Sequence, residues 1–149
     1  MTNWAHTKYP EPSEDSLILR EESAHAEGRV FDLAERTAVF GEQVIEFLRA
    51  VRPDSITKPL ISQLVRSATS IGANYCEADD AHTKKEFRQK IGFCRKESRE
   101  TMHWLRMIAK AAPSQKDEAR RLWREARELH LIFCAIVKNT KDDQPKISH

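Results

Sequence analysis

The sequence predicts an all-α protein, an up-down antiparallel four-helix bundle, on three observations. Apolar residues recur every three or four positions along four separate stretches, proline or a capping pattern marks the breaks, and the breaks are short enough to make neighbouring helices antiparallel. Composition agrees: of 149 residues 40% are hydrophobic, 32% are charged and only four are glycine, which suits a helical chain better than a sandwich of strands. That length supports one compact domain with one core.

Each element follows from local signals. The first helix is expected from about residue 29 to residue 51, with Val30, Ala34, Val44, Ile45 and Leu48 as its apolar stripe. It stops at Arg52-Pro53, because proline lacks the N–H and collides with the preceding turn. The second starts near Thr57 with Pro59 in its first turn, and presents Leu60, Leu64, Ala68, Ile71 and Tyr75 on one face. A turn over residues 79–82 leads to Thr83, whose spacing to Glu86 is that of a capping box, and the third helix runs on to about Ala111, before Pro113. Ser114 with Asp117 repeats that start signal more weakly. The fourth helix then ends near Lys138, with Leu122, Ala126, Leu129, Phe133, Ile136 and Val137 buried. Three regions result: an acidic N-terminal arm over 1–28, the bundle over 29–138 and a C-terminal tail over 139–149.

Within the second helix, SATSIGANYCEADD is nearly devoid of large aliphatics. Ser67, Ala68, Ile71, Gly72 and Tyr75 share roughly 140° of arc, and most of them are too small to hold a neighbour at a distance. Close helix approach is expected there. A glycine costs about 1 kcal/mol of helix propensity relative to alanine, and tight packing at Gly72 would offset it. A phosphate cradle is not expected, since such loops sit at helix N-termini and this run is mid-helix.

The net charge of +2 is unevenly distributed. Residues 1–28 carry Lys8 and Arg20 against six acidic residues, a net −4, which leaves +6 on the remainder. The arm also holds Trp4, Tyr9 and Leu17-Ile18-Leu19, which could dock on an apolar surface. In the third helix Lys84, Arg88, Arg95, Arg99, Arg106 and Lys110 are separated by steps of four, seven, four, seven and four. At about 100° per residue all six fall within roughly 80°, a continuous basic stripe. Residues 84–110 hold nine basic and three acidic residues, a net +6. Such a stripe can follow a phosphate backbone with little sequence preference; the plainer alternative is a solvated helix face.

The segments SIGANYCEADDA, KKEFRQKIGF, KESRETMHWLRMI and EARELHLIFCAIVK together resemble the four-helix-bundle family that includes proteins encoded within intervening sequences of bacterial 23S ribosomal RNA genes. The resemblance spans about residues 31–138. It implies a fold similar to the accessory protein of diversity-generating retroelements, a ring-like homopentamer with a basic surface, no established enzymatic activity, and RNA or DNA as the suggested partner. One departure is the Glu77-Ala78-Asp79-Asp80 turn, acidic where many relatives carry a basic, glycine-containing one.

Assembly is also expected from the third helix itself. Phe87, Ile91, Cys94, Ser98, Met102 and Leu105 form its core stripe, yet Phe93, Trp104 and Met107 point nearly the opposite way. A second apolar face of aromatics and methionine is typical of an interface core, so a homo-oligomer joined through these three residues is expected. The alternatives are scattered surface aromatics, or cover by the arm of the same chain.

No catalytic, metal or cofactor site is expected. Glu100 and His103 have the Glu-x-x-His spacing of di-iron bundles and Glu22 and His25 repeat it, but the first pair lies off the core stripe, the second lies in the arm, and further inward carboxylates are missing. His130 and Cys134, one turn apart, make two ligands at most. Cys76, Cys94 and Cys134 read as small packing residues in a reducing compartment. No phosphate loop, nucleophile elbow, membrane-length apolar run or secretory leader is seen, so a cytoplasmic protein without an evident small-molecule substrate is expected. The leading expectation is a non-enzymatic oligomeric bundle that binds nucleic acid, or a nucleoprotein partner, through the stripe. A protein-interaction scaffold and, behind it, a di-metal enzyme are the alternatives.

Overall fold

The computed structural model describes residues 32–140, which form four helices and no strand. The arm, Val30, the Glu22 and His25 pair and residues 141–149 lie outside the described residues. The helices are α1 (Leu33–Arg49), α2 (Thr57–Asp79), α3 (Lys84–Ala111) and α4 (Lys116–Asn139), and a short 3₁₀ turn, Pro113–Gln115, precedes the last.

Caps set the helix starts. Asp32 caps α1 by accepting from the Glu35 N–H at 3.1 Å, so the helix begins at Leu33 and not near residue 29. Ahead of α2, the Asp54 carboxylate accepts from the backbone N–H groups of Ile56 and Thr57, both at 2.8 Å. Thr83 Oγ1 accepts from the Glu86 N–H at 3.1 Å, as expected, while Glu86 Oε2 accepts from the His82 N–H at 3.2 Å, closing the box one residue early. Ser114 does not cap α4. Its place is inside the 3₁₀ turn, and α4 starts without a side-chain cap.

Contacts fix the up-down order. The ideal Cβ of Gly72 would stand 3.4 Å from Thr37 Oγ1, and that of Gly41 3.8 Å from the Thr69 Cα, so α1 and α2 run antiparallel with glycine at each crossing point. Between α2 and α3, Lys90 pairs with Glu77, the Cys94 thiol reaches the Ile71 carbonyl, and the Thr101 and Ser67 hydroxyls lie 3.0 Å apart. Between α3 and α4, Arg88 donates to the Val137 carbonyl at 3.4 Å and His130 lies against the Arg95 carbonyl. Arg36 and Glu125 close the ring between α1 and α4 at 2.8 Å.

The core sits among the four helices: Phe40 and Val44 of α1, Leu64 and Ile71 of α2, Ile91, Leu105 and Ile108 of α3, and Leu122, Leu129 and Phe133 of α4. The α1 stripe differs from expectation. Leu33, Thr37, Phe40, Gly41, Val44, Phe47 and Leu48 are buried, whereas Ile45 is 38% exposed. Thr37 can join the core because its hydroxyl donates to the Leu33 carbonyl at 2.7 Å. Of the cysteines, Cys94 is buried, Cys134 is half-buried and Cys76 is exposed, so Cys76 is not a packing residue. No described helix is long and apolar enough to cross a membrane.

Candidate nucleic-acid interface

The α3 helix presents two different edges. Toward α2 its charges are paired: Arg66 of α2 bonds Glu100 and lies 3.5 Å from Glu97, and Lys90 of α3 meets Glu77 of α2 at 2.6 Å. Facing the other way, Lys84, Arg88, Arg95, Arg99, Arg106 and Lys110 are all exposed, in the single line that their spacing requires. Arg95, Arg99, Arg106 and Lys110 form no ion pair with a described residue. Arg88 donates its Nε–H to the Val137 carbonyl, a neutral acceptor, and forms no ion pair with a described residue. Lys85 and Lys96, both exposed and neighbouring the stripe in helical projection, broaden it. The sequence reading passed over these two because they fall outside the strict four-and-seven pattern.

A cleft of about 450 Å³ opens where the stripe meets α4. Lys85, Arg88, Gln89, Gly92, Arg95 and Val137 line it. Among the described residues three cations and no carboxylate line that space, which favours an anion there, and an added Cβ at Gly92 would meet nothing within 4 Å. A groove between α1 and α4 is different in kind: Glu125 and Glu128 stand among its arginines, and Arg36 is held by Glu125 through both Nε and Nη2.

The residues expected at an oligomer interface are distributed along the edge near α2. Phe93 is 40% exposed, with the Lys90 ammonium 5.7 Å from its ring centre. Trp104 and Met107 are half-buried. The Trp104 Nε1–H donates to Glu100 Oε1 at 3.1 Å and its ring meets His103 edge-on, with 4.8 Å between centroids. Glu100 is thus committed to Arg66 and Trp104, away from His103, which is exposed. This network of Arg66, Glu97, Glu100 and Trp104 escaped the sequence reading, since it joins residues of two helices.

His130 and Cys134 are brought together, but as part of the packing. His130 Nδ1 lies 3.0 Å from the Arg95 carbonyl, so it carries the proton and donates, and Nε2 faces the Cys134 sulfur at 3.5 Å. Through this bond α4 anchors the α3 backbone directly beneath the stripe. Among the described residues no group of three or more His, Cys, Asp or Glu is placed to hold a metal ion.

A family model described as 23S rRNA-intervening sequence protein matches residues 30–134. A solved crystal structure of a protein of unknown function from the S23 ribosomal protein family of Bacteroides thetaiotaomicron is similar in fold, with a TM-score of 0.62. The two chains are 22% identical, over 70% of this chain and 97% of the other. No curated protein matches the sequence.

Proposed function

The chain belongs to the 23S rRNA-intervening sequence protein family, and from that premise and the exposed line of cations on α3 we propose that it is a non-enzymatic bundle that binds nucleic-acid backbone. The observation that carries the reading is the separation of charge on α3. Its glutamates Glu97 and Glu100 are spent on Arg66 of α2, while the opposite edge keeps Arg95, Arg99, Arg106 and Lys110 exposed and without ion pairs to described residues. Phosphates are the ligands that such a line of cations attracts, and their neutralisation releases condensed counterions. The bundle acts as a homo-oligomer joined near Phe93, Trp104 and Met107, and the pentamer implied by the family resemblance would repeat the stripe around a ring.

Replacing Arg88, Arg95 and Arg99 together by glutamate tests it. All three are exposed, so the fold should survive, and binding to mixed RNA and DNA probes should be lost. Wild-type affinity should fall linearly with the logarithm of salt concentration. A triple variant that binds as tightly as the wild type would remove the stripe from the mechanism, and the scaffold reading would replace it.

A further inference from the structure

The geometry points to a B-form DNA duplex as the ligand of the α3 face, an inference that rests on the backbone-binding reading above and goes beyond it by naming the form of the nucleic acid. The six cations are unevenly spaced. Lys84 with Arg88, Arg95 with Arg99 and Arg106 with Lys110 form three pairs, and the pair repeats every eleven residues. All six positions are exposed along one uninterrupted helix. Eleven residues make about three turns, so each repeat advances about 16.5 Å along the axis while the face rotates only about 20°. The stripe is a ladder with three cationic rungs.

A B-form duplex offers rungs to match. Its helical turn is about 34 Å, and a line along its surface crosses two sugar-phosphate backbones per turn, so backbones are met on average every 17 Å or so. Three pairs at about 16.5 Å therefore meet three successive backbone crossings, and the segments between pairs span the grooves. The two grooves differ in width, and long side chains free of ion pairs to described residues at Arg95, Arg99, Arg106 and Lys110 can lean to meet each strand. Between the first two rungs lies Gly92, where an added Cβ would meet nothing within 4 Å, so a side chain can be placed there without disturbing the fold.

Single strands fit this face poorly. They are held where aromatic rings that stack with bases alternate with cations. Here Phe93 and Trp104 lie roughly 140° or more around the helix from the middle of the stripe, and Trp104 is engaged by Glu100. A duplex also releases more counterions per phosphate contact than a single strand does.

A charge-conserving variant of the full-length protein tests the register. Gly92→Arg with Arg99→Gln leaves net charge and exposed face unchanged but dissolves the middle rung, and Gly92→Arg alone adds a cation while keeping every rung. Fluorescence anisotropy would use three probes of about two turns: duplex DNA, its single strand, and the A-form RNA duplex of the same sequence. The wild type should prefer duplex DNA by about tenfold. The double variant should lose that preference, its duplex affinity falling to that for the single strand, and Gly92→Arg should bind duplex DNA at least as tightly as the wild type. Equal wild-type affinity for the three probes, or a double variant that binds duplex DNA like the wild type, overturns the register inference while the backbone reading stands. Failure to bind any probe at low salt overturns both.

Discussion

Asp54 shows how one side chain can start a helix from outside it. Its carboxylate accepts from the Thr57 and Ile56 N–H groups, and these bonds, Thr57's above all, hold it below the usual carboxylate range. A depressed pKa contributes stability that is present above the unfolded value and disappears as pH falls through the folded one. Replacing Asp54 by alanine should therefore lower the thermal midpoint at neutral pH, and the gap from wild type should close in acid; a gap that is independent of pH would assign the effect to packing. Cys94 illustrates the opposite influence. Burial pushes its thiol up to about 12, so it stays protonated and inert at neutral pH, whereas Cys76 is exposed. An aromatic disulfide reagent should label Cys76 in the native protein and Cys94 only after denaturation. Fast native labelling of Cys94 would contradict its packed position.

Where two helices meet, small residues decide the distance. Gly72 faces Thr37, and Gly41 faces Ala68 and Thr69, so α1 and α2 approach through two reciprocal notches. Gly72→Leu should overpack this crossing at a cost of about 1–3 kcal/mol or more, measured by denaturant melts. No loss of stability would mean that the notch is open to solvent. The sequence displayed the α2 half of the contact plainly, because Leu64, Ala68 and Ile71 keep helical spacing beside the glycine. It concealed the α1 half, whose buried stripe runs through a threonine and a glycine that hydropathy does not mark as core. The same logic explains α3. Its stripe was legible because exposure follows directly from the spacing of charges along one helix. The pairing of Glu97, Glu100 and Trp104 with Arg66 was not, since it depends on which face α2 turns toward α3.

Across the whole molecule, exposed apolar surface and long-range charge are the properties that bear on assembly and binding. Phe93 at 40% exposure, together with the half-buried Trp104 and Met107 about three to four turns further along α3, marks the edge through which copies of the chain should associate. Changing Phe93 and Trp104 together to alanine should shift the mass seen by light scattering toward monomer while helicity persists, and a wild type already monomeric at micromolar concentration would refute the interface. Charge makes a separate prediction, and it needs only the sequence. Residues 1–28 bring a net −4 to a chain whose remainder carries +6. An anionic ligand approaching the protein experiences the summed field, and association of copies would multiply both contributions equally. Removing residues 1–28 should thus strengthen nucleic-acid binding, most at low salt, where the Debye length of about 30 Å at 0.01 M lets distant charges be felt. Near 1 M it is about 3 Å, and the difference from the full-length protein should vanish. An affinity gain that persists at high salt would show that these residues occupy the binding face by contact and not only by charge, and a loss of affinity would make them part of the site.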